Sequence, residues 1–191
     1  MNTFWFYFDL GFDHVLDLGG LDHFYFLVAL SLPFTFKNWR KLLLWVSLFT
    51  LGHSLSLLVT HFEWIKINSQ WVEFLIPVTI CITCFSILFE KEHAYLNGIW
   101  INLITLFFGL IHGFGFGRYF KMIANEGEAV MALLEFALGV EFAQILIVLL
   151  VLMINDLVLR FFKIQSQKWQ WIISSMVLSQ AILMASNNWP F

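Results

Sequence analysis

The stretch EAVMALLEFALGVEFAQILIVLLVLMIND, Glu128 to Asp156, decides how the rest of the chain is read. A helix needs about 20 apolar residues to cross a bilayer, and this run exceeds that length while carrying two carboxylates, Glu135 and Glu141, in its interior. Runs of the same kind lie to either side: Leu21 to Phe36, Trp39 to His61, Trp71 to Phe89, Asn97 to Tyr119 and Trp169 to Asn187. Composition agrees with that reading, since 60% of the 191 residues are hydrophobic and only 12% are charged, with a mean hydropathy of +0.82. A water-soluble domain could not cover so many apolar side chains. The expected fold is all-α, a polytopic transmembrane helical bundle of six spans forming one domain over residues 1–191.

Before the first run lies Phe4 to Leu18, too short to cross at about 1.5 Å per residue and carrying Asp9, Asp13 and Asp17. A short amino-terminal helix, interfacial or half-inserted, is expected there. It lacks the basic start and small-residue cleavage pattern of a secretory signal. The three aspartates recur every four residues, which on a helix makes one carboxylate stripe. At an outer mouth such a stripe would concentrate cations; an exposed polar face is the plainer reading.

The connections after spans one, three and five carry Lys37, Arg40, Lys41, Lys91, Arg160, Lys163 and Lys168, whereas the alternate ones carry only Lys66, Arg118 and Lys121. Basic residues stay on the cytoplasmic side, so both termini are expected on the non-cytoplasmic face of the cell (inner) membrane. Trp39, Trp64, Trp71, Trp100, Trp169, Trp171 and Trp189 fall near the proposed span ends, where amphipathic rings prefer the headgroup level. Net charge is small at -3, so no basic face exists to neutralise a nucleic-acid backbone. The expected partners are the lipid bilayer and a metal ion, with a homo-oligomer or a larger membrane complex also open. Cys81 and Cys84 lie in one apolar run and read as small buried fillers; His61 and His93 sit at span ends and read as interfacial.

An ionisable group inside the bilayer costs roughly 2.5–3.5 kcal/mol on insertion scales, so each needs a partner or a task. With the orientation set by Lys and Arg alone, Asp22, His23, His53, Glu73, His112, Glu135 and Glu141 all fall in the outer half of the bundle or at its centre. Imidazole and carboxylate together are ligands for divalent transition ions such as Ni, Co, Zn, Fe or Mn, and this set could hold one ion or two. His14 lies close enough to Asp22 in sequence to add a ligand or an orienting acceptor. Two backbone features point at the same layer. Pro77 cannot donate to the carbonyl of Glu73 and leaves that oxygen free. Gly109, Gly113 and Gly117 make a small-residue stripe that allows close helix approach beside His112.

Five segments resemble the HupE/UreJ family of small integral membrane proteins: GFDHVLDLGGLDHFYFLVAL (Gly11 to Leu30), LFTLGHSLSLL (Leu48 to Leu58), WVEFLIPVTI (Trp71 to Ile80), FFGLIHGFGF (Phe107 to Phe116) and LLEFALGVEFAQ (Leu133 to Gln144). The resemblance implies His and Asp/Glu motifs associated with nickel or cobalt uptake, and carries over to His14, Asp22, His23, His53, Glu73, His112, Glu135 and Glu141 as metal positions. Seven residues separate His14 from Asp22, a longer spacer than in the nickel-permease branch. Three functions stay open: a permease for a divalent transition metal, an intramembrane metal-dependent enzyme of hydrolase type, and an assembly partner of a larger membrane complex.

Overall fold

A computed structural model describes residues 3–17, 19–89, 99–125 and 127–191. Lys91, His93 and the start of the fourth expected span at Asn97 lie outside the described residues. Among those described there are seven α-helices and no strand: α1 (Thr3–Leu16), α2 (Asp22–Ser31), α3 (Trp39–His61), α4 (Ser69–Phe89), α5 (Ile99–Ile123), α6 (Ala129–Phe162) and α7 (Ser166–Asn187). A 3-10 turn, Phe36–Asn38, leads into α3.

Four segments are long and apolar enough to cross a membrane: Phe36–His61, Ser69–Phe89, Ile99–Ile123 and Ala129–Phe162. The other two expected spans take a different form. Leu21 to Phe36 was expected as one span, but α2 stops at Ser31 after 10 residues, about 15 Å of rise against a hydrocarbon core of about 30 Å. Pro33 follows immediately; it has no N–H to give and disfavours helical geometry in the residue before it. α7 forms over 22 residues, but glutamines and serines along it leave it outside the apolar set. The four long helices turn large side chains outward, among them Phe107, Leu134, Leu138 and Leu150, each more than half exposed. Such surface is stable only against lipid or protein, and the chain is a membrane protein.

Two helix pairs are in backbone contact, and glycines make both possible. Between α3 and α5, a methyl group on Gly52 would collide with the Leu106 carbonyl oxygen, one on Gly109 with Phe49 O, and one on Gly113 with Ser56 Oγ and His53 O. The small-residue stripe thus seats α5 on α3. Between α1 and α6 the arrangement is reciprocal, with Gly11 against Phe136 O and Gly139 against Phe8 O. The amino-terminal helix is therefore seated on α6 by its Tyr7, Gly11 and Val15 face, with Trp5, Phe6 and Leu16 turned outward. Pro77 has the expected effect: the Glu73 carbonyl it leaves free accepts a hydrogen bond from Asn188 Nδ2 at 3.2 Å, tying the end of α7 to α4.

Candidate metal centre

Four helices bring one histidine each into two adjoining groups that share His23. His14 stands in the last turn of α1 and His23 in the first turn of α2. His53 comes from the middle of α3, and His112 from α5 beside the glycine stripe. His23, His53 and His112 are buried, and His14 is half-buried. The His14 and His23 rings are 4.7 Å apart between centroids, His23 and His53 5.5 Å, His14 and His53 5.5 Å, and His23 and His112 5.3 Å.

Ligand atoms of His14, His23 and His53 all lie within 4.8 Å of one another, as do those of Asp22, His23 and His112. His23 belongs to both groups, so they form one continuous centre. Ligands around a tetrahedral ion stand about 3.4 Å apart, given metal–nitrogen bonds of about 2.0–2.1 Å. The rings are therefore near enough to close on an ion by side-chain adjustment alone.

Hydrogen bonding fixes which nitrogens are free. Asp22 Oδ1 accepts from the His23 backbone N–H at 2.8 Å and faces His23 Nδ1 at 3.1 Å. A carboxylate only accepts, so Nδ1 carries the proton and the lone pair of His23 sits on Nε2. Thr79 donates its hydroxyl proton to Ile76 O at 2.7 Å and lies 3.0 Å from His112 Nε2. That hydroxyl has one proton, already given, so it accepts from Nε2–H and the lone pair of His112 is on Nδ1. His14 Nε2, His23 Nε2, His112 Nδ1 and both ring nitrogens of His53 are buried without a hydrogen-bond partner among the described residues. Buried polar atoms are nearly always satisfied. Unpartnered imidazole nitrogens in two adjoining groups form an arrangement that could hold a metal ion, with Asp22 and Thr79 placed as orienting partners of the kind metal-binding histidines use.

The walls are aromatic. Phe116 lies 4.1 Å from the His14 ring, Phe136 is stacked beside His53 at 6.1 Å, and Phe49 stands 5.0 Å and Phe26 5.3 Å from His112. They exclude water and lower the local dielectric. Half-buried His14 also lines a cavity of about 570 Å³ with Asp13, Asp17, Phe116 and Tyr119. Two members of the aspartate stripe thus stand beside His14 in that cavity, while Asp9 is exposed outside it.

Of the eight positions read from sequence, the structure gathers His14, Asp22, His23, His53 and His112. Glu73, Glu135 and Glu141 fall outside both groups. Glu73 is exposed near the start of α4. Glu135 is buried on α6, next to Phe136 in sequence. Glu141 is half-buried and hydrogen-bonded to Ser47 and Thr50 on α3. Thr79, one hydroxyl in an apolar run, carries no signal of this role in the sequence. Cys81 and Cys84 are free and belong to neither group, and Cys84 is part of the apolar core. His61, expected at an interface, is buried at the end of α3.

The family model described as HupE / UreJ protein matches residues 1–189. The chain belongs to the HupE/UreJ family. That family is associated with nickel and cobalt transport, which agrees with a centre made of imidazoles. No curated protein and no solved structure matches the chain.

Proposed function

We propose that this HupE/UreJ protein is a permease for a divalent transition metal of the nickel/cobalt class. Its cargo is taken by His14, His23, His53 and His112, with Asp22 orienting His23. The observation that carries this reading is the set of unpartnered imidazole nitrogens converging from four helices. Neutral nitrogen donors suit borderline divalent ions over alkaline-earth ions, which prefer oxygen.

In this reading, with the orientation expected from the basic residues, the Asp13/Asp17 cavity faces the non-cytoplasmic side. A hydrated cation enters past those carboxylates, meets half-buried His14 first, and exchanges water for imidazole. Two short helices, α1 and α2, meet here, and their ends can shift without breaking a long span. Discontinuous helices of this kind line substrate sites in transporters. The test is metal uptake into proteoliposomes. The parent protein takes up nickel or cobalt, and His53→Ala and His112→Ala abolish uptake while remaining folded. Uptake equal to the parent in both variants would overturn the proposal.

One observation favours a second reading, an intramembrane metal-dependent enzyme. Below the histidines the bundle is closed by apolar packing, where Phe26, Leu30, Trp45 and Phe108 line a cavity of only about 180 Å³. A tightly held stoichiometric metal with no uptake would favour that reading, because catalytic sites keep their ion and leave one position open for water.

A further inference from the structure

Glu141 is absorbed by no part of the histidine centre, and its surroundings pose a separate question. Glu141 Oε1 accepts from Ser47 Oγ at 2.6 Å, and Oε2 is in short contact with Thr50 Oγ1. Thr50 Oγ1 is also 2.9 Å from Gln144 Oε1 and 3.2 Å from the Val46 carbonyl oxygen. One hydroxyl proton therefore faces three acceptors and satisfies one of them. Gln144 is fully buried, and its Nε2 has no partner among the described residues. Turning the amide over would bond Nε2 to Thr50 and strand Oε1 instead, so either orientation leaves an orphaned atom.

The site is a crevice of about 550 Å³ between α3 and α6, lined by Ser47, Thr50, Ser54 and Glu141 and otherwise by leucine and alanine. Its rim residues Leu51, Leu134 and Leu138 face outward, toward lipid. An ionised carboxylate there is costly even with two hydroxyls beside it. Along α3 and α6 no lysine or arginine stands within a turn of these oxygens.

We propose that this crevice is a binding site for a small, hard monovalent cation of the sodium kind, held by Glu141, Thr50 and Ser47. The donor chemistry sets the class. Every candidate ligand atom is oxygen, which selects a hard ion, and the single carboxylate balances one positive charge. A divalent ion would leave a net charge buried against lipid. Thr50 precedes His53 by three residues on α3, a rise of about 4.5 Å, so a cation here stands roughly one turn from the histidine centre. This site does not depend on the metal-permease reading.

The test uses the purified full-length chain in detergent, free of added transition metal. Thermal unfolding is followed while sodium chloride replaces N-methylglucamine chloride at constant ionic strength. A ligand that binds only the folded state raises the Tm and saturates. The expected result is a sodium-specific, saturable rise for the parent and for His53→Ala, and loss of that rise in Glu141→Gln and Thr50→Val. Identical Tm values in the two salts for the parent protein would overturn the proposal whether or not any variant folds. A folded Glu141→Gln that keeps the sodium response would do the same. So would a nickel titration in which Glu141→Gln loses one bound equivalent, since the crevice would then belong to the divalent cargo.

Discussion

His112 on α5 and Thr79 on α4 share a hydrogen bond of 3.0 Å, and the Thr79 hydroxyl has already given its proton to Ile76 O. The direction of the bond is thereby fixed, and with it the tautomer of His112. Replacing Thr79 by valine keeps the shape and removes the acceptor. Metal affinity is expected to fall about 10–100-fold, the usual effect of losing such an orienting partner. Thr79→Ser, which keeps the hydroxyl, is expected to restore most of it. Equilibrium dialysis with nickel on the three proteins checks this; equal affinity for the valine variant would remove Thr79 from the centre.

Gly109 lets α5 lie on the backbone of α3 at Phe49, one turn from His112. Gly109→Ala forces the helices apart. The expected loss of stability is about 1–3 kcal/mol, as for other overpacked contacts, with weaker metal binding because His53 and His112 separate. Chemical unfolding measured beside nickel binding tests both effects. Gly127, whose surroundings are open, is the control position for alanine.

Asp13 and Asp17 line the approach to His14 without belonging to either group of ligands. Asp13→Asn with Asp17→Asn is expected to slow metal association severalfold, most strongly at low ionic strength, and to leave dissociation unchanged. Stopped-flow quenching of tryptophan fluorescence separates the two rates. An unaltered association rate would place the route elsewhere.

Glu73 is exposed near the start of α4 and belongs to neither ligand group. Glu73→Gln is expected to bind the same number of metal ions as the parent with little change in affinity. Loss of a bound equivalent would put Glu73 among the ligands after all.

Depth was legible in the sequence, and rotation about the helix axis was not. The apolar run Trp39 to His61 coincides with α3, and charge asymmetry predicted His53 to lie in the same layer as His23 and His112. Glu135 and Glu141 share that layer as well. Yet six residues at 3.6 per turn set them roughly 120° apart around α6, so the two cannot face one ion equally. Only the packing of α6 on its neighbours determines which way each points. A hydropathy run also passes through Pro33 without registering it, which is why α2 was expected to be a full span. The seating of α1 rests on Gly11 and Gly139, residues too far apart in sequence for their pairing to be read. His14 was legible through its closeness to Asp22, whereas Thr79 acquires its role only from the ring it meets.

X-ray absorption at the nickel edge of the purified, nickel-loaded protein tests the convergence of imidazoles most directly. A centre built from His14, His23, His53 and His112 gives a first coordination shell dominated by imidazole nitrogen, with one nitrogen fewer in His53→Ala. A shell of oxygen alone, or nickel that washes away from the parent protein, would contradict it.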